Sequence, residues 1–250
     1  MKILEMQGVD KSYGNTKVIN DLNFTVNQGE LRCLLGPNGA GKTTTMDLIT
    51  GRQKIDSGSV LLEGEDISGM GEHDIARRGV ARKFQIPAIF KGLTVEENLK
   101  AAYNIEKGPF ANMFKSRRLS EKRRYDEIVE LINFKDRLKA SAGLLSHGET
   151  QWLEIGMVLM QDPKLLLMDE PTAGMTEQET YKTAQIFNHL KGTHTLIVVE
   201  HDMAFVKEIA DVISVMHQGS MLAEGTITEI ENNQQVREVY LGTEDISHDA

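Results

Sequence analysis

The chain has 250 residues, 40% hydrophobic and 26% charged, with a formal net charge of −9; that is the length of one large domain and the composition of an ordinary globular protein. No apolar run approaches the roughly 18 residues of a membrane span. Glu5 falls where a secretory signal would be apolar, and the one cysteine, Cys33, has no partner for an internal disulfide. The acidic balance argues against nucleic-acid binding driven by overall charge.

In chain order, Ile3–Val26 reads as short alternating strands turning at Gly14-Asn15. Leu31–Leu35 is a continuous apolar run, the pattern of a strand covered on both faces. Gly36–Gly41 follows, then a helix from Lys42 to about Thr50 and a short strand over Ser59–Glu63. Thr94-Val-Glu-Glu97 is a capping box opening a helix, and helical segments dominate from there to Gln161. Leu165–Met168, Thr195–Val199 and Val212–Met216 return as strands with helices between them. The pattern predicts an α/β core, residues 1–87 and 162–250, carrying an antiparallel β sub-domain at its start and an α-helical insertion over residues 88–161.

Gly36-Pro37-Asn38-Gly39-Ala40-Gly41-Lys42-Thr43 fits G-x-x-x-x-G-K-[ST] between an apolar strand and a helix. Glycines let successive backbone N–H groups converge on an anion, and the helix N-terminus adds unpaired donors. Lys42 supplies a cation for the β- and γ-phosphates, Thr43 an oxygen for Mg²⁺, and Thr44 adjoins them in the ATP-binding set. The motif is common to transport ATPases, kinases, GTPases and motors.

Leu165–Glu170 is an apolar strand ending in two carboxylates, and successive strand residues point in opposite directions. Asp169 is the candidate for the Mg²⁺ shell, and Glu170 for orienting or deprotonating an attacking water. Ser146-His147-Gly148-Glu149 reads as a second capping box, opening a helix to about Gln161.

Leu145-Ser-His-Gly-Glu149, just upstream of Leu165–Glu170, resembles the signature motif of ABC-type ATPases, usually written L-S-G-G-Q. In that resemblance Tyr13 stands where an aromatic stacks on adenine, Gln85 where the Q-loop glutamine reaches ATP and metal, and His201 where the switch histidine reads the γ-phosphate. The motifs occur in the family's order over essentially the whole chain. The resemblance implies a P-loop NTPase core of RecA-like fold, with ATP and Mg²⁺ as cofactors. It also implies two ATPase subunits that sandwich nucleotide, the signature residues Ser146, His147, Gly148 and Glu149 facing the partner's ATP. His147 and Glu149 replace the family's glycine and glutamine, and Thr176 stands where many relatives have aspartate. The extra charge of Glu149 has an outlet, since a capping box folds the carboxylate onto the backbone N–H of Ser146.

One set of motifs without a fused membrane segment resembles a separate importer subunit at the cytoplasmic face of the membrane. Its implied partners are membrane permease subunits, a second ATPase subunit that is either a related chain or a copy, and, indirectly, a periplasmic binding protein; no nucleic acid is implied. Glu200–Met203, Ala173–Met175 and Val236–Gly242 resemble the branched-chain amino acid and urea importer group. The phrase Leu145–Met157 is most like the urea type, so urea is the expected cargo, with branched-chain amino acids or short amides as the alternative and a soluble non-transport ABC ATPase as the reading after those. Read locally, Trp152–Met157 is also simply the apolar face of a core helix. Ile86, Pro87, Ile89 and Phe90 put apolar side chains in an expected loop, either as a permease contact or packed beneath the insertion. Lys115, Arg117, Arg118, Lys122, Arg123 and Arg124 form a basic cluster, read first as a solvated helix face and second as a lipid contact.

Overall fold

The computed structural model describes residues 1–83, 89–104 and 115–244. They form two compact units, one of Met1–Arg82, Lys164–Glu170 and the chain from Phe187 onward, the other of Lys83–Pro163 and Pro171–Ile186. The expected boundaries place residues 171–186 in the core, whereas by contact they group with the helices.

In the first unit β1 (Lys2–Tyr13) and β2 (Thr16–Asn27) form an antiparallel hairpin turning at Gly14-Asn15. Each strand runs 12 residues, longer than the alternation suggests. Register shifts between Met6 and Val9 and again between Val9 and Lys11 interrupt the two-residue period. With β4 (Ser57–Leu62) and β5 (Glu65–Asp66) they make a four-stranded sheet in the order β2-β1-β4-β5.

The second sheet has six strands in the order β10-β9-β3-β8-β7-β6. They are β3 (Leu31–Leu35), β6 (Val80–Lys83), β7 (Leu165–Asp169), β8 (Thr195–Val199), β9 (Val212–His217) and β10 (Ser220–Gly225). Pairings β9–β3, β3–β8 and β8–β7 are parallel, and β10 returns antiparallel to β9. Every residue of β3, β7 and β8 is buried, which is why these strands read as unbroken apolar runs. The edge strands escape the sequence reading: β5 has two residues, β6 carries Arg82 and Lys83, and β10 is only partly buried.

Helix α1 (Lys42–Ile49) buries Met46, Leu48 and Ile49. One core joins them to Leu4, Phe24 and Val60 of the antiparallel sheet and to Leu34, Leu165 and Ile197 of the parallel one. Each such side chain contributes about 1.5–3 kcal/mol of burial. The unit also holds α2 (Glu72–Arg77), α7 (Met203–Ile209), α8 (Ile227–Asn232) and α9 (Gln234–Glu244), while α6 (Glu177–Leu190) runs through both units.

The second unit contains α3 (Val95–Asn104), α4 (Lys115–Leu131) and α5 (His147–Leu159). Thr94 and Glu97 form the expected capping box at α3, the Thr94 N–H donating to Glu97 Oε2 at 2.8 Å. Residues 132–146 are turns with one short 3₁₀ turn rather than helix. In α5 every residue from Gln151 to Leu159 is buried, so Trp152–Met157 packs on all sides. Gly156 marks a close approach to apolar neighbours, for a Cβ there would lie 2.6 Å from Ile132 Cδ1 and 3.2 Å from Leu99 Cδ2. Gly156→Val should therefore destabilise the protein by about 1–3 kcal/mol through overpacking, read as a lower urea midpoint at unchanged slope.

Candidate functional site

The chemistry collects where three adjacent parallel strands end. The glycine-rich loop follows β3, Asp169 and Glu170 close β7, and Glu200 and His201 follow β8, which lies between them. Open α/β sheets bind ligands at this carboxyl edge.

The loop is shaped by close approach. A Cβ on Gly36 would lie 2.4 Å from Met216 O, so only glycine fits there. Gly41, at φ 102°, is the N-cap residue of α1 and makes no side-chain cap. Lys42 Nζ lies over the loop, donating to Gly36 O at 2.6 Å and Pro37 O at 3.2 Å. Burial lowers the Lys42 pKa, and the charges of Glu170 and Asp169 oppose that shift. Thr43 is exposed in the first helical turn and Thr44 half-buried beside it, while Asn38 and Gly39 are exposed at the loop tip.

Asp169 is buried, and Arg82 Nη2 donates to its Oδ2 at 3.0 Å. Strand alternation predicts that Glu170 points opposite to Asp169, but β7 stops at Asp169 and Glu170 leaves it in the left-handed region at φ 46°. The separation of the two carboxylates thus comes from a backbone turn, held by the Glu170 N–H donating to Val199 O at 2.9 Å. A non-glycine residue in that region costs about 1–2 kcal/mol. The turn puts Glu170 Oε1 4.0 Å from His201 Nδ1. Buried Glu200 anchors the histidine from behind, its Oε2 accepting from the His201 N–H at 3.1 Å. The expected helix beyond His201 is α7, and Asp202 caps it by accepting from the N–H groups of Ala204 and Phe205.

Ser146, His147, Gly148 and Glu149 lie in the helical unit, at the start of α5. The capping box is complete: Ser146 Oγ accepts from the Glu149 N–H at 3.2 Å, and Glu149 Oε2 accepts from the Ser146 N–H at 2.9 Å. Arg137 Nη1 takes the other Glu149 oxygen, so this carboxylate is folded back and neutralised. His147 Nε2 lies 3.0 Å from Ala173 O; the carbonyl can only accept, so that nitrogen carries the hydrogen. Glu179 Oε1 accepts from Ser146 Oγ at 3.2 Å, and the Gly148 N–H also donates to this carboxylate. Glu179 is at the same time the capping partner of Thr176, which starts α6.

A family model for ABC transporters matches residues 19–173. The chain belongs to the ABC transporter family. A model described as branched-chain amino acid ATP-binding cassette transporter matches residues 220–246 of this ABC ATPase. It is 36% identical to the high-affinity branched-chain amino acid transport ATP-binding protein BraF of Pseudomonas aeruginosa, over 96% of this chain and 98% of that one. It is 34% identical to the lipopolysaccharide export system ATP-binding protein LptB of Haemophilus influenzae, over 97% and 98%. Its fold matches the crystal structure of the ADP conformation of MJ1267, an ATP-binding cassette of an ABC transporter, at a TM-score of 0.81 and 31% identity, covering 97% of this chain and 99% of that one.

The structure brings Gly36–Thr44, Asp169, Glu170 and His201 of the ATPase to one sheet edge. Tyr13 ends β1 with its ring exposed and Lys11 Nζ 5.5 Å from the ring centroid. Gln85 lies outside the described residues. Among the described residues no three His, Cys, Asp or Glu side chains converge as a metal cage. Thr43 and Asp169 offer hard oxygen donors, which suit Mg²⁺, an ion that keeps much of its shell as water and phosphate.

Two residues escaped the sequence reading. Arg82 gave no local signal beyond its charge, whereas Glu179 is announced by Thr176-x-x-Glu179, a capping-box spacing.

Glu170→Gln should lower ATP turnover by about 10²–10⁴ while nucleotide still binds; single-turnover hydrolysis beside equilibrium binding separates the two. The Thr176 N–H holds the Glu179 carboxyl below its ordinary 4.5, helped by the Thr176 and Ser146 hydroxyls and Gly148. A carboxyl with a depressed folded pKa stabilises above its unfolded pKa and loses that contribution as pH falls. Glu179→Gln should therefore unfold at lower urea than wild type near pH 7, the gap closing as pH falls below the carboxyl's ordinary 4.5.

Proposed function

We propose that this ATPase is the motor subunit of an importer for branched-chain amino acids or a short amide, bound to its permease at the cytoplasmic face of the membrane. The ATPase half of the reading is carried by one observation, the convergence of the phosphate loop, Asp169, Glu170 and His201 at the ends of β3, β7 and β8. The loop N–H groups and the start of α1 cradle the phosphates, for which Lys42 exchanges its carbonyl partners. Thr43 and Asp169 hold Mg²⁺, with Gln85 as a further ligand; the ion offsets phosphate charge when bound. Glu170 orients the attacking water and takes its proton, and His201, 4.0 Å away, reads the γ-phosphate. Tyr13 stacks on the adenine. Ser146, His147, Gly148 and Glu149 meet the ATP of the second subunit, a related chain or a copy.

The cargo reading leans on the match over residues 220–246 and on the similarity to BraF, a branched-chain amino acid transport protein. A second reading, urea, rests on the phrase Leu145–Met157 alone. No helix among the described residues is long and apolar enough to cross a membrane, which suits a peripheral subunit. Phe90 supports a permease contact: its side chain is exposed, while Asn98 fixes its backbone, Asn98 Oδ1 accepting from the Phe90 N–H at 2.7 Å. Ile89 is half-buried, and Ile86 and Pro87 lie outside the described residues. In the basic cluster Lys122 and Arg123 are exposed, as a solvated face requires, and Arg124 is tied to Leu159 O and Asp162.

Uptake of labelled leucine and labelled urea, in cells lacking only this gene and in complemented cells, tests the cargo. Leucine uptake should be lost and restored with urea uptake unchanged. Loss of urea uptake alone would transfer the motor to the second reading, and no change in either would remove both cargoes.

A further inference from the structure

Arg82 has a buried side chain in contact with Asp169, and the mechanism above does not use it. Its side chain is 5% exposed, as is that of Asp169, and Asp47 is 19% exposed. The guanidinium divides its fork: Nη1 donates to Asp47 Oδ1 and Nη2 to Asp169 Oδ2, the latter at 3.0 Å. Asp47 lies on α1 one turn after Thr43. One side chain on β6 therefore ties the helix that carries the hydroxyl to the strand that carries the carboxylate. Burying two charges and half-burying a third is a poor route to stability, because the desolvation cost offsets most of the attraction. A planar fork does, however, fix two carboxylates in one geometry, which an ammonium cannot do.

We propose that Arg82 is a positioning residue for the metal shell: through Asp47 and Asp169 it sets the separation and orientation of Thr43 and Asp169. It touches neither nucleotide nor metal, and it rests on the reading of those two residues as Mg²⁺ ligands. Partners that orient a ligand change metal affinity by about 10–100-fold when removed.

The test is a Mg²⁺ titration of binding of a fluorescent ATP analogue, without turnover, in wild type, Arg82→Lys, Arg82→Met and Asp47→Asn. Arg82→Lys keeps the charge and loses the fork; Arg82→Met loses both. Both should raise the Mg²⁺ concentration for half-saturation by about 10–100-fold, with metal-free nucleotide binding unchanged. Asp47→Asn, which keeps the Arg82–Asp169 bond, should give a smaller rise in the same direction and carries the test should the Arg82 variants fail to fold. Wild-type half-saturation in Arg82→Lys would reduce Arg82 to a neutralising charge and overturn the proposal. A lowered half-saturation in Arg82→Met would overturn it too, making Arg82 a competitor of the metal. Binding that ignores Mg²⁺ already in the wild type would instead overturn the metal-site reading beneath it.

Discussion

The direction of three strands governs this molecule. Because β3, β8 and β7 are neighbours and parallel, the segments leaving them emerge at one edge, so a loop, an acidic pair and a histidine far apart in sequence become one site. Parallel strands must be covered on both faces, which all three satisfy by complete burial. The core tying both sheets to α1 is thus the same structure that holds the phosphate loop in place. Backbone detail then does what strand geometry cannot. The left-handed turn at Glu170 places its carboxylate beside His201, whereas continued alternation would have set it by the pleat alone.

What was legible in the sequence is what short-range physics writes. The apolar runs of β3, β7 and β8, the glycine loop and the capping boxes at Thr94 and Ser146 each carry their signal within a few residues. Long-range contacts carry none. Arg82 meets Asp169 across 87 positions and Ser146 meets Glu179 across 33, and no local period marks either pair. Edge strands β5, β6 and β10 were missed for a related reason, since a strand with one open side needs no continuous apolar run. Gly8 at φ 57° helps explain the long first hairpin, whose irregular register hides a 12-residue strand.

The start of α5 repays the same accounting. Its departures from the common signature are each absorbed locally. Glu149 closes the capping box and meets Arg137, His147 donates to Ala173 O, and Thr176 caps α6 with Glu179. The donors that make a helix N-terminus attractive to anions, Ser146 Oγ and the Gly148 N–H, already serve the Glu179 carboxylate. A Cβ on Gly148 would lie 2.4 Å from that carboxylate, so any larger residue there would push Glu179 off these donors.

Cargo is written more faintly than mechanism. The phrase that most resembles the urea type, Trp152–Met157, is buried in α5, where Trp152 Nε1 donates to Thr183 Oγ1 at 2.9 Å and Gly156 admits Ile132 and Leu99. Contacts inside the helical unit account for Trp152 and Gly156, so neither residue bears on cargo. Whole-chain identity is no sharper: 36% to an amino acid transport protein and 34% to a lipopolysaccharide export protein describe the same motor fold under different loads. The match at residues 220–246 differs in kind, being confined to β10 and the helices after it and containing none of the phosphate loop, Asp169, Glu170 or His201. Because that match is to a model of the branched-chain group in particular, it weighs more on cargo than the signature phrase does.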